Sequence, residues 1–164
     1  MTDKLLPVFS LALATSGLAL AFASPAQAQY RQKIDHDLSA CKEGPAVMVT
    51  ISEVKSSSGT IRVQSYRGTK ADWLEKGRWI NRIELPARAG TMRVCMPIPA
   101  SGTYGIAVRH DVNGNGKTDL RTDGGAMSNN PSLNIFNLGK PSYKKTAFSA
   151  GAGVTPISIR MRYF

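Results

Sequence analysis

Beyond residue 22 the chain has no long hydrophobic run. A spanning helix needs about 20 apolar residues, so no integral membrane protein is expected downstream of the N-terminus. Histidine is scarce, with only His36 and His110. Catalytic zinc commonly takes three protein ligands, histidine prominent among them, and a metal-dependent hydrolase centred on His110 and Asp111 lacks that set. There is no G-x-S-x-G, and neither Ser101 nor Ser128 sits in a nucleophile elbow. No helix follows Gly114 and Gly116 to offer its N-terminus, so they form no phosphate cradle. Acids are also few, 11 against 21 Lys and Arg, for a formal charge of +10. Aromatics are 7% of residues and do not interleave with basic ones along a strand, as single-strand nucleic-acid binders require. Residues ending at Phe164 alternate, but arginines occupy the parity that a membrane barrel turns to lipid. The sequence therefore predicts neither an enzyme, nor a nucleic-acid partner, nor a barrel.

What is present begins with an export pattern. An apolar run from Leu5 to Phe22 precedes Pro25 and the small-residue triplet Ala26-Gln27-Ala28. This is the layout of a secretory signal peptide over residues 1–28, cleaved near Ala28, and it places the rest in the periplasm or outside the cell. Cysteine usage agrees. Cys41 and Cys95 are the only two, and in an oxidising compartment an even count reads as one disulfide. The alternative is two separate buried thiols. Met92, Val94 and Met96 share one strand face, which puts Cys95 on the opposite face with Arg93. A bridge there would staple the N-terminal segment across the outside of a sheet.

Residues 29–44 are polar and unpatterned, an extended lead-in tied down only at Cys41. From Pro45 the period is two. Val47, Val49 and Ile51 alternate with Met48, Thr50 and Ser52, and after a Ser-Gly turn Ile61 and Val63 alternate with Arg62 and Gln64, which reads as a hairpin. Residues 70–77 could form about two helical turns, too few to stand without packing. Strands follow over 79–85, 91–98 and 103–109. A long Gly/Asn-rich segment then runs from Asp111 to about Pro141. A strand is expected over 143–150, and a last one where Ile157, Ile159, Met161 and Tyr163 alternate with Ser158, Arg160 and Arg162. About seven short strands without a helical period predict an all-β domain over residues 45–164. The expected form is an antiparallel Greek-key β-sandwich, immunoglobulin-like or transthyretin-like.

The candidate chemistry lies in His110 to Asp123. Asp111, Asn113, Asn115 and Gly116 match the first half of a calcium loop, where alternate oxygen side chains converge and a glycine makes the turn. Asp119 takes the ninth position. The twelfth holds Thr122 where a helix-loop-helix site has glutamate, and Asp123 lies one residue late. Two readings stay open. Either these residues bind calcium weakly, or they cap their own backbone in successive Asx turns. His110 is expected to end its strand and hydrogen-bond the loop.

The run Gly102-Thr103-Tyr104-Gly105-Ile106-Ala107-Val108-Arg109-His110-Asp111-Val112-Asn113-Gly114-Asn115-Gly116-Lys117 resembles the signature of an exported bacterial family, domain of unknown function 2141. Ser128-Asn129-Asn130 and Met161-Arg162-Tyr163 fit its later features, so the resemblance spans Val47 to Phe164. It implies a small β-sandwich outside the cytoplasm and no established activity. Ahead of Ser128 the family usually carries a G-x-P-x-E-like element, and this chain has Arg121 to Met127 instead; a site lined by that glutamate would be altered here.

Arg62, Arg82, Arg93, Arg109, Arg160 and Arg162 occupy the non-core parity of their strands, so several are expected to share one exposed face. The charge suits anionic cell-envelope components: lipid head groups, phosphorylated polysaccharide or wall polymers. The functional expectation is a binding or accessory module of the envelope, with His110, Ser128, Asn129, Asn130, Arg160 and Arg162 as its binding residues. A calcium-ordered structural domain is the alternative.

Overall fold

The computed structural model describes residues 29–42, 44–133 and 139–163. The signal-peptide reading of residues 1–28 lies outside the described residues. Among the described residues, ten strands and almost no helix make an all-β fold. In chain order they are β1 (Gln32–Lys33), β2 (Ala46–Val54), β3 (Thr60–Arg67), β4 (Asn81–Pro86), β5 (Gly90–Pro97), β6 (Gly102–Asp111), β7 (Gly124–Met127), β8 (Phe148–Ala150), β9 (Val154–Arg160) and β10 (Arg162–Tyr163). The larger sheet runs β1-β4-β3-β6-β7-β10, with β8 also on β6; the smaller runs β5-β2-β9. Both sheets are mixed rather than wholly antiparallel, because β2 pairs β9, and β1 pairs β4, in parallel. No helix among the described residues is long and apolar enough to cross a membrane.

Period-two patterning explains the interior. Val47, Val49 and Ile51 from the smaller sheet pack into one cluster with Ile61, Val63, Ile83, Ile106 and Val108 from the larger. Met92, Val94, Met96 and Ile159 complete it from β5 and β9. Cys95 faces the other way, as its parity requires, and is bonded to Cys41 with Cα atoms 5.7 Å apart.

Several local expectations are corrected. β2 and β3 do not form a hairpin, since β2 pairs β5 and β9 while β3 pairs β4 and β6. At Glu53 (φ +59°) the β2 register shifts, and the following turn carries the chain from one sheet to the other. Residues 70–77 form turns, not a helix, with Leu74 and Gly77 both at positive φ. The segment after Asp111 contains β7. The strand expected over 143–150 is a single helical turn, α1 (Tyr143–Thr146), capped by Ser142 and followed by β8.

The lead-in is held at far more than Cys41. Arg31, Gln32 and Ile34 donate backbone N–H groups to Trp79, Ile80 and Arg82 at 2.8, 2.9 and 3.0 Å. Tyr30 donates its hydroxyl to Asp72 at 2.8 Å, and His36 Nε2 donates to the Arg93 carbonyl at 3.1 Å. The segment thus bridges β4 on one sheet and β5 on the other. The pairing with β4 runs through backbone groups, so it leaves no alternation to read.

Candidate functional site

The core parity of β6 that buries Ile106 and Val108 also carries His110 inward, where it is fully buried. Its Nε2 lies 2.8 Å from the Ser58 carbonyl, which can only accept, so Nε2 bears the proton. Nδ1 then accepts from the Tyr163 hydroxyl at 2.7 Å, whose oxygen in turn accepts from the Lys55 N–H at 3.0 Å. Both ring nitrogens are committed within the fold, leaving neither for a metal or a substrate.

Just beyond it, Arg109 projects from the opposite face and threads into the loop. Its guanidinium donates to Asp111 Oδ2 (3.1 Å), the Gly116 carbonyl (3.2 Å) and the Thr118 hydroxyl (3.1 Å). Asp111 Oδ2 also accepts from the Gly116 N–H at 2.9 Å, across the sharp turn that Gly116 makes at φ +76°. Asn113 and Asn115 accept from backbone N–H groups two residues on, the expected Asx turns. Both amides donate to one oxygen, Asp119 Oδ2, at 2.9 and 2.6 Å. Those donors hold the Asp119 carboxyl below the usual carboxylate range. Asp123 is buried and turned inward, accepting from Val112 N and Asp119 N, so it closes the loop through the backbone. Asn113, Asn115 and Asp119 are therefore brought together, and Asp123 is spent elsewhere. Asp111 Oδ1 and Arg109 Nε are buried without a partner. Among the described residues, no three His, Cys, Asp or Glu side chains gather into a metal-holding group.

Ser128, Asn129 and Asn130 form a corner. The Ser128 hydroxyl donates to the Thr146 carbonyl at 2.6 Å and accepts from Ile106 N at 3.0 Å. Asn129 donates to the Ala147 carbonyl; Asn130 donates to Ser158 O and accepts from Arg160 N. The triplet ties β6, the α1 turn and β9 together.

A family model described as "Uncharacterized protein conserved in bacteria (DUF2141)" matches residues 49–158, from within β2 into β9. The chain belongs to this family. No curated protein and no solved structure matches it. The match includes the whole loop and the Ser-Asn-Asn corner of this DUF2141 chain, and leaves Cys41, Arg160, Arg162 and Tyr163 outside.

The arginines divide between two surfaces. Glu84, Arg62, Arg109, Gly125 and Arg162 follow one another across the larger sheet in register. Arg62 pairs with Glu84 at 2.5 Å, and Arg82 lies 4.2 Å over the Trp79 ring. Burial pushes the Glu84 carboxyl up, but the bond from Arg62 and the charges of Arg62 and Arg82 outweigh it and leave it below its ordinary value. Arg93 and Arg160 belong to the smaller sheet, where Arg160 pairs with Glu53 in solvent at 3.3 Å.

The outer face of the larger sheet carries a further feature in this DUF2141 domain. Tyr66, Trp73, Trp79, Met127 and Leu133 form a second apolar cluster. Beside it opens a cleft of about 260 Å³, lined by Leu74, Ala107, Leu120, Met127 and Leu133, with Arg109, Asp119, Asp123 and Lys140 as its charged lining residues. Leu120 is 64% exposed. A second depression shares Leu74 and Lys140 and adds Lys70, Lys76 and Tyr143. Residues far apart in the chain converge here, so no local motif announces it.

Proposed function

We propose that this DUF2141 chain is an exported, non-catalytic binding module of the cell envelope that takes an anionic amphiphile on the outer face of its larger sheet. The observation that carries the reading is the apolar cleft lined by the exposed Leu120 and by Lys140, with Lys70 and Lys76 on the depression that adjoins it. A concave, mostly apolar hollow with a few polar groups is the ordinary form of a ligand site. The cleft is small next to pockets of roughly 300–1,000 Å³ that enclose a whole ligand. It suits one apolar group, such as the end of an acyl chain, with the anionic head outside against Lys70, Lys76 and Lys140. The net charge of +10 would steer the chain to an anionic surface. The export pattern at residues 1–28 and the Cys41–Cys95 bridge favour the envelope as the compartment. Anionic lipid is favoured over a wall polymer because a polymer would leave the apolar cleft unused.

Co-sedimentation with phosphatidylglycerol vesicles tests this against phosphatidylcholine vesicles. Retention is expected on the anionic vesicles only, falling with salt. It is expected to vanish in the Lys70→Glu, Lys76→Glu, Lys140→Glu triple variant, to weaken in Leu120→Asp and to survive Arg160→Glu on the other sheet. Retention untouched by the triple variant, or none at low salt, overturns it. No observation favours the hydrolase reading, since both His110 nitrogens are hydrogen-bonded within the fold.

A further inference from the structure

We infer that the Asp111–Asp119 loop is a calcium site, held by Asp111, Asn113, Asn115 and Asp119. The site does not need the vesicle-binding proposal, although Asp119 also lines that cleft. The spacing of these residues is suggestive but insufficient, because successive Asx turns produce the same compact loop without a metal. Asp111 supplies the independent observation. Its side chain is 7% exposed, and one oxygen, Oδ2, carries the Gly116 N–H and the Arg109 guanidinium. The other, Oδ1, is buried with no hydrogen-bond partner. An anionic oxygen shut away from water and left unpaired is costly unless a cation meets it. The carboxylate is anchored through one oxygen to the glycine turn and presents the other for ligation.

The remaining donor set favours calcium over other metals. Asn113 and Asn115 supply neutral amide oxygens and Asp119 supplies a carboxylate, while the two cysteines are bonded to each other and both His110 nitrogens are hydrogen-bonded elsewhere. Oxygen-only ligands with two carboxylates suit a hard cation. Both amide NH₂ groups now converge on Asp119 Oδ2, where they neutralise its charge. A bound cation would take over that role, and the amides would turn their oxygens inward. The Arg109 guanidinium beside Asp111 opposes a second positive charge. That opposition, with only two carboxylates, places affinity in the weak extracellular range, on the order of 10⁻⁴–10⁻³ M.

The test is calorimetric titration and thermal melting of the exported, disulfide-bonded protein with CaCl₂, against MgCl₂ at matched ionic strength. At about ten times the dissociation constant, calcium is expected to raise Tm by roughly 3–6 °C. Magnesium is expected to do far less, since it demands stricter geometry. Asp111→Asn should abolish the response but disturbs a buried ion pair, so Asp119→Asn is the decisive variant. Asp119 lies at the loop surface, and its variant is compared with its own calcium-free Tm, because the Asn113 and Asn115 amides bond its carboxylate; the replacement should weaken calcium binding at least about tenfold. The inference is overturned if calcium gives neither heat nor a Tm shift, if magnesium matches it, or if Asp119→Asn responds like the parent.

Discussion

The Tyr163 hydroxyl lies 2.7 Å from His110 Nδ1, and this bond docks the last short strand onto the larger sheet. The Tyr163 ring lies over its register partner Gly124, where a methyl group would overlap it, and meets the His110 ring edge-on at 5.7 Å. Tyr163→Phe keeps the ring and removes the hydroxyl that links Lys55 N–H to His110. The buried Nδ1 is then left unpaired, at a cost of about 1–3 kcal/mol. Chemical denaturation should show a lower midpoint with an unchanged m-value; an unchanged midpoint would mean that the bond contributes nothing to stability.

The Cys41–Cys95 bridge closes a separation of 54 residues. Chain-entropy reasoning assigns such a loop about 4 kcal/mol. The Cys41→Ser, Cys95→Ser double variant should lose about that much, seen as a Tm drop of more than 10 °C. Because β1 stays paired with β4 through backbone groups, the lead-in should lose hydrogen-exchange protection around residues 38–42 first.

How much of this was legible follows from which groups do the pairing. Val94 and Cys95 declared opposite faces of β5 through alternation alone, and the facing sheets, their core and the bridge followed. Alternation says nothing about which strands are neighbours, so β2 and β3 read as a hairpin although Glu53 turns the chain into the other sheet. β7 begins Gly124-Gly125, which carries no pattern; its place is set by pairing with β6 on one side and with β10, from the far end of the chain, on the other. At the loop, the spacing of Asp111, Asn113 and Asn115 was visible. The threading of Arg109 was not, because it depends on which face of β6 the loop folds over. The cleft, assembled from residues far apart in the chain, had no local signature.

Acid should loosen the loop and the outer face together. The Asp119 and Glu84 carboxyls are held below their ordinary values, by the Asn113 and Asn115 amides for Asp119 and, against the upward push of burial, by Arg62 and Arg82 for Glu84. A carboxyl depressed in the folded state adds stability above its unfolded pKa and loses it as pH falls through the folded one. Tm should therefore decline below about pH 4. The slope should be shallower in Asp119→Asn, and an identical slope would contradict the assignment.

Alkali should act through Tyr66. Burial under the outer apolar cluster pushes its phenol up to about 12. A phenol raised in the folded state stabilises fully below its unfolded pKa near 10, and that stability is lost as pH rises toward the folded value. Tm should fall between about pH 10 and 12, with tyrosinate absorbance from Tyr66 appearing only alongside unfolding. Tyr66→Phe should flatten that limb, and an unaltered limb would exclude Tyr66 as its source.

Asn130 separates a structural corner from a binding surface. β9 is an edge of the smaller sheet, and Asn130 behaves as a fragment of a further strand there, donating to Ser158 O at 3.0 Å and accepting from Arg160 N at 2.7 Å. Two residues earlier on β9, Pro156 offers no N–H, and together they blunt an edge that could otherwise pair with another chain. Asn130→Ala removes both bonds and places a Cβ-bearing residue without a local polar partner at φ +49°. The expected cost is about 2–3 kcal/mol, with concentration-dependent association visible by light scattering. Asn130→Asp keeps the acceptor and tolerates the backbone, so it should fall between parent and alanine. Should Asn130→Ala melt like the parent yet lose retention on anionic vesicles, the residue belongs to the ligand surface and not to the edge of β9.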